Sequence, residues 1–164
     1  AQEAKKPNAS GMLYMIELYS HKIETSTWVL DTGCGTHLCN NVQDLRNSRR
    51  LRNGEVDLRM GNGAKLTALC VGTYSISLPN GLVLDLDNCI YVPSLVKNII
   101  SISSLCKKGF SCLINCNECS IYFNEIKYGV GILSNGIYIL QTNNECSSSN
   151  IHNINSNNHN ESLL

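Results

Sequence analysis

Charge is scarce in this chain. Asp, Glu, Lys and Arg supply 16% of its 164 residues, and 13 basic residues are matched by 13 acidic ones. A chain with zero formal charge offers no basic field to draw in nucleic acid or an acidic lipid surface, so no direct nucleic-acid binding is expected of it. It also lacks any apolar run long enough to span a bilayer, and no membrane partner is expected. The opening AQEAKKPNAS is polar, not an apolar leader. The nine cysteines are therefore read as reduced thiols of a cytoplasmic protein, and the sequons at Asn8 and Asn160 as chance matches. No segment repeats along the chain.

What is present is apolar residues, 43% of the total, enough for one core. They come in short runs broken by Gly, Asn and Ser. MLYMIEL and TWVL read as strands. EVDLRM and AKLTALCV flank the Gly61-Asn62-Gly63 turn, which predicts a hairpin. TYSISL alternates, with Tyr74, Ile76 and Leu78 on one face and Thr73, Ser75 and Ser77 on the other. Pro79-Asn80-Gly81 then turns the chain into LVLDLDNCIYV, a second hairpin. In NIISISSLCKKGF, Ile99, Ile102, Leu105 and Cys106 fall at helical spacing, and Lys-Lys-Gly closes the run. A single short helix near Ser101–Lys108 is expected there. FSCLI, CSIYF and GIYIL read as later strands. From residue 142 onward Asn and Ser dominate, and this stretch reads as a disordered linker.

The segment WVLDTGCGTH, Trp28 to His37, carries the candidate chemistry. Asp31 ends an apolar strand and meets a tight turn at Gly33. Hydrolysis of an amide by water needs one group to take a proton and another to give one, and two close carboxylates do both. At a separation near 3 Å two such charges repel by roughly 5 kcal/mol at an effective dielectric of about 20, so the pair holds one proton between them. The ionised oxygen then activates water and the protonated one polarises the carbonyl. Thr32 can lock the loop through its hydroxyl, and Gly33 permits close backbone approach. Only one Asp-Thr-Gly occurs in the chain. The second carboxylate must then come from another copy across a two-fold axis, which predicts a homodimer. The hairpin tip Met60-Gly61-Asn62-Gly63 is placed to act as a flap, bonding an extended peptide through its backbone. On the residues alone, Asp31 as a plain turn residue remains the competing reading.

Three blocks, WVLDTGCGTHLCN, GNG and LDNCIYVPSLVKNIISISSLCKKGF, resemble in order and spacing the protease segment of Pol polyproteins from copia-type LTR retrotransposons. The resemblance spans about Thr27 to Phe123 and is most specific from Tyr91 to Cys106. It implies an all-β fold similar to that of retroviral aspartic proteases: a small closed barrel with a hairpin flap and one short C-terminal helix. It also implies an aspartic endopeptidase that acts as a homodimer on Gag-Pol peptide bonds without cofactor or metal, within virus-like particles. Asp31, Thr32 and Gly33 match the catalytic triplet. Met60, Gly61, Asn62 and Gly63 match the flap, and Asn98, Ile99, Ile100 and Ser101 the segment that leads into the C-terminal helix and braces the active-site loop. His37 matches a histidine common in this branch for which the sequence offers no physical role. GILSNGIYIL resembles the start of a pre-integrase segment. The expected division is thus a flexible segment 1–11, a protease domain 12–124, a pre-integrase start 125–141 and a linker 142–164.

Cys34 and Gly35 depart from the Ala and Ser or Thr usual after the triplet. Gly35 forgoes a side-chain hydrogen bond there, which motivates the alternative of an inactive protease fold that serves as a dimerisation or peptide-binding module. Cys112, Cys116 and Cys119 read as buried small thiols on differing faces, not as a zinc site. Arg46–Arg52 reads as a solvated turn.

Overall fold

The computed structural model describes residues 26–143. The expected strand at 12–18 and the Asn/Ser-rich tail fall outside them. The elements, in chain order, are β1 (Trp28–Asp31), β2 (Leu38–Cys39), β3 (Leu45–Arg50), β4 (Leu58–Arg59), β5 (Lys65–Leu66), β6 (Cys70–Ser77) and β7 (Val83–Tyr91). They continue with β8 (Asn98–Ser101), α1 (Ile102–Lys107), β9 (Ser111–Ile114), β10 (Glu118–Phe123), β11 (Ile126–Ser134) and β12 (Ile137–Leu140). The class is all-β. Ten strands form one sheet in the order β3-β6-β7-β2-β8-β1-β12-β11-β10-β9, and β4 pairs with β5 separately. Among the described residues the order runs from β3 to β9, and β3 and β9 are not paired with each other.

Both expected hairpins form. Leu58 pairs with Leu66 around the Gly61–Gly63 tip. β6 runs back along β7 from Ser77↔Val83 to Cys70↔Tyr91. Alternation along β6 puts Ile76 and Leu78 in the core, with Tyr74 packed beside them. The helix is one turn shorter in reach than its apolar spacing suggests. Ile99 belongs to β8, because its backbone is committed to the β1 ladder, and Cys106 is exposed. Ile102 and Leu105 alone carry the buried face. Ser101 caps the helix N-terminus, and Gly109 follows Lys108 at a φ of 92°, the expected stop.

Several elements depart from the sequence-based expectation. Arg46–Arg52 is largely edge strand β3, not a turn: it pairs with β6 from Leu45↔Tyr74 to Arg50↔Cys70, with a register break after Arg46. Arg46 bonds Ser75 and Asp85, and Arg49 bonds Glu55. Such charged, bulged edges resist pairing with other chains. Cys112 and Cys119 share the core face, because they are diagonal neighbours across the β9–β10 ladder, while Cys116 is exposed between them. Apart from these departures, strands β11 and β12 join the main sheet: β11 pairs with β10, and β12 lies between β11 and β1.

The main core gathers Trp28 and Leu30 of β1 with Leu84, Leu86, Ile100, Leu105, Ile121 and Leu140. A second cluster joins Cys34, Leu38, Leu58, Val92, Leu95 and Ile99. β1 puts Trp28 and Leu30 into the main core, and its alternation leaves Val29 and Asp31 on the opposite face.

Candidate active site

The geometry around Asp31 follows from one topological step. β8 lies between β1 and β2, parallel to β1 with Asp31↔Ser101 as the last pair and antiparallel to β2 at Leu38↔Ile99. The loop from Thr32 to His37 must therefore cross over the end of β8, where α1 begins. Ser101 sits beneath that crossing and is fully buried.

Ser101 binds the loop through its hydroxyl and its backbone N–H. Its Oγ donates to the Cys34 carbonyl at 2.7 Å, and its N–H donates to His37 Nδ1 at 3.1 Å. The same Oγ accepts the Ser104 N–H at 3.1 Å as the helix cap. Ser104 Oγ in turn donates to the Gly35 carbonyl at 3.1 Å. The loop is thus tied to the first turn of α1 at consecutive carbonyls. The Gly35 hydrogen bond that the sequence lacks is replaced by one that reaches the Gly35 backbone from Ser104. Cys34 is buried in the second apolar cluster, where burial pushes its thiol pKa up, so it is a packing residue, not a nucleophile.

His37 acquires a role here. It is 1% exposed, and its Nδ1 accepts a backbone proton, which puts the imidazole proton on Nε2. Nε2 has no hydrogen-bond partner among the described residues. Burial, reinforced by the positive charge of Lys108 and opposed by Asp87, lowers its pKa to about 4. The ring is therefore neutral at physiological pH, the only state in which it can accept from Ser101.

Asp31 itself is half-buried at the end of β1. Its Oδ1 accepts the Gly33 N–H at 2.6 Å, and a Cβ added at Gly33 would stand 3.3 Å from that oxygen. Glycine thus lets the turn fold back on the carboxylate without the tight contact that a side chain would make. Thr32 is exposed, and hydroxyl bonds that hold the loop come from Ser101, Ser104 and the loop's own Thr36, which donates to the Asn88 carbonyl at 3.3 Å. Asn98 is buried and takes the Asn40 N–H on its Oδ1 at 2.9 Å. Ile99 and Ile100 point into the second and the main cluster, respectively. Of the expected bracing segment Asn98, Ile99 and Ile100 hold β8 in place, while Ser101, with Ser104 beyond it, bonds the loop directly.

The flap hairpin is closed by Met60 N–H to Ala64 O at 2.9 Å and Gly63 N–H to Met60 O at 2.8 Å. Its tip at Gly61, Asn62 and Gly63 is exposed. Its base shares the second cluster with the site loop, through Leu58 and Cys34. A groove of about 680 Å³ lies elsewhere, lined by Trp28, Asn40, Asp44, Tyr74 and Asn98 among others. It opens at the Trp28 end of β1, away from the carboxylate.

These features define an all-β domain that presents one carboxylate on a doubly braced turn. Residues 28–110 match the family described as Pol polyprotein, beta-barrel domain, and the chain belongs to that family. It is 30% identical over 117 residues to the retrovirus-related Pol polyprotein from transposon RE2 of Arabidopsis thaliana, and 28% identical over 117 residues to that from transposon RE1. Each alignment covers 71% of this chain and 7% of the relative, so the chain corresponds to a small part of such a polyprotein. No solved structure matches it.

Proposed function

We propose that this retrotransposon Pol segment is an aspartic endopeptidase that cleaves Gag-Pol peptide bonds as a homodimer, each protomer supplying one Asp31. The observation that carries the reading is the position of Asp31: a half-buried carboxylate at a strand end, on a turn pinned to α1 through Ser101 and Ser104. A plain turn aspartate needs no such bracing. A carboxylate that must meet its twin within hydrogen-bond reach does, because small displacements of reacting groups cost large factors in rate. In the dimer one Asp31 is ionised and takes a proton from the attacking water. The other is protonated and donates to the carbonyl oxygen of the scissile bond. The exposed hairpin tip at Gly61–Gly63 covers the bound strand.

The test is cleavage of a Gag-Pol-derived polypeptide by the full chain and by Asp31→Asn. The substitution keeps the side-chain shape and removes the titrating acid, and the expected loss is at least about 10³-fold. Equal cleavage by both proteins refutes the reading. The alternative, a peptide-binding or dimerisation module without turnover, rests on Cys34-Gly35, and the Ser104 bond to Gly35 O weakens that ground.

A further inference from the structure

The chain enters and leaves the sheet at the same end. β12 runs antiparallel to β1 with Val29↔Ile139 and Leu30↔Tyr138 paired, and carrying that register back sets Ser26 across from Thr142. Both residues line the groove at the Trp28 end of β1. The outgoing chain is held there, because Asn143 N–H donates to Ser77 O at 3.3 Å and Ser77 lines the same groove. The incoming chain is held by Thr27, which is buried and whose carbonyl accepts the Asn98 N–H at 3.0 Å. Asp31 stands at the other end of β1. It is five residues on from Ser26, about 17 Å at the rise of a strand. The sheet also stands between the two. Trp28 and Ile76, which line the groove, belong to the main core, and Asp31 lies on the opposite face.

We infer that peptide bonds close to either end of this sheet are cut by another copy of the enzyme and not by the dimer that carries them. The inference rests on the proteolytic reading above and identifies one substrate of that site as the flank of a different molecule. The reason is reach. A segment of n residues spans at most about 3.5 Å × n, whatever its conformation. Covering about 17 Å back to Asp31 takes at least about five residues, and reversing the chain takes a turn of about four more. A bond nearer than about nine residues to Ser26 or Thr142 thus cannot lie against the carboxylate of its own protomer. The second protomer offers no shortcut, because two carboxylates that share a proton stand about 3 Å apart and form one site. Nine residues is also a floor, since a bound peptide must lie extended beneath the Gly61–Gly63 tip with residues on both sides of the scissile bond. The barred bonds therefore run from about residue 17 to Ser26 and from Thr142 to about residue 151. Cutting there is a reaction between separate dimers, so its rate rises with the concentration of the polyprotein.

The experiment uses the full 164-residue chain. Eight residues spanning a bond that the enzyme cuts in the Gag-Pol-derived polypeptide are written over residues 144–151, which lie beyond β12. Active chain with this junction is mixed with an equal amount of isotope-labelled Asp31→Asn chain carrying the same junction. Mass spectrometry reads the two products in one tube, at one dimer concentration. Cutting within a dimer would meet its own junction at about millimolar effective concentration, against micromolar protein, and would favour the active chain by on the order of 10² or more. The expected result is equal cutting of the two chains, to within about twofold. A larger excess of product from the active chain overturns the inference, and Asp31→Asn on the Gag-Pol polypeptide still judges the chemistry on its own. Two intact junctions, in a mixture that cuts the same eight residues as a free peptide, also overturn it, because the flank is then no substrate for another copy. A free peptide left uncut by the active chain strikes the proteolytic reading itself.

Discussion

Acid should loosen the site through His37 before it reaches any carboxylate. The unfolded chain takes up a proton at His37 near pH 6.5, and the folded chain refuses it until about pH 4. Stability is therefore unaffected by this group above pH 6.5, falls as pH drops from there to about 4, and stops changing below that. The full interval is worth roughly 3 kcal/mol at about 1.36 kcal/mol per pKa unit, and at pH 5 the loss is about 2 kcal/mol. For a chain of this length that corresponds to a fall in Tm of about 4–8 °C. The acids held low by partners contribute later. Glu55, Asp87 and Glu118 start from ordinary values of 4.5, 3.8 and 4.5, so their losses begin as pH approaches those values. His37→Asn separates the two effects. Its Oδ1 sits two bonds from Cβ, as Nδ1 does, and can accept from Ser101 N–H, but it cannot become charged. Urea unfolding followed by the fluorescence of Trp28 between pH 7.5 and 5 is the assay. Wild type should lose about 2 kcal/mol across that window, and the variant should lose less than half as much. Parallel slopes for the two proteins would refute the assignment of this titration, and of the neutral ring beneath the loop, to His37.

Two further outcomes concern the brace and the sheet. Ser101→Ala removes the cap on α1 and the bond to Cys34 O together, leaving a buried carbonyl without its donor, and should cost about 2–4 kcal/mol in urea unfolding. Ser101→Thr, which keeps the hydroxyl, should recover part of that. Gly72→Ala would drive a Cβ to 2.7 Å from the Arg46 carbonyl and 2.9 Å from Leu45 Cγ. Because the first of these is backbone at the β3–β6 register break, the expected loss is about 1–3 kcal/mol, read as a lower Tm.

The chain sequence by itself determined the punctuation of this fold. Asn-Gly between apolar arms gave the hairpins around Gly63 and Gly81, and alternation from Tyr74 to Leu78 chose the core face of β6. Lys-Lys-Gly stopped the helix at Lys108. Those signals are local, so they survive in a linear reading. Asp31-Thr32-Gly33 was likewise visible as a strand that ends in a carboxylate on a turn. What the sequence could not hold is the insertion of β8 between β1 and β2, which pairs residues about 70 positions apart. That insertion alone brings Ser101 and Ser104 under Gly35 and turns His37 from an unexplained residue into an acceptor. It also made a strand of Ile99, whose spacing alone matched the helix. β3 hid behind its arginines, because from Arg46 to Arg50 it is exposed on both faces and has no apolar alternation to show. The side of the sheet on which Asp31 stands, and the apolar neighbours it keeps there, were decided by the pairing of β12 with β1, a contact between segments more than 100 residues apart. Local residue choice fixes turns and caps because their partners lie within a few bonds. Only the folded sheet sets which distant side chains share a face.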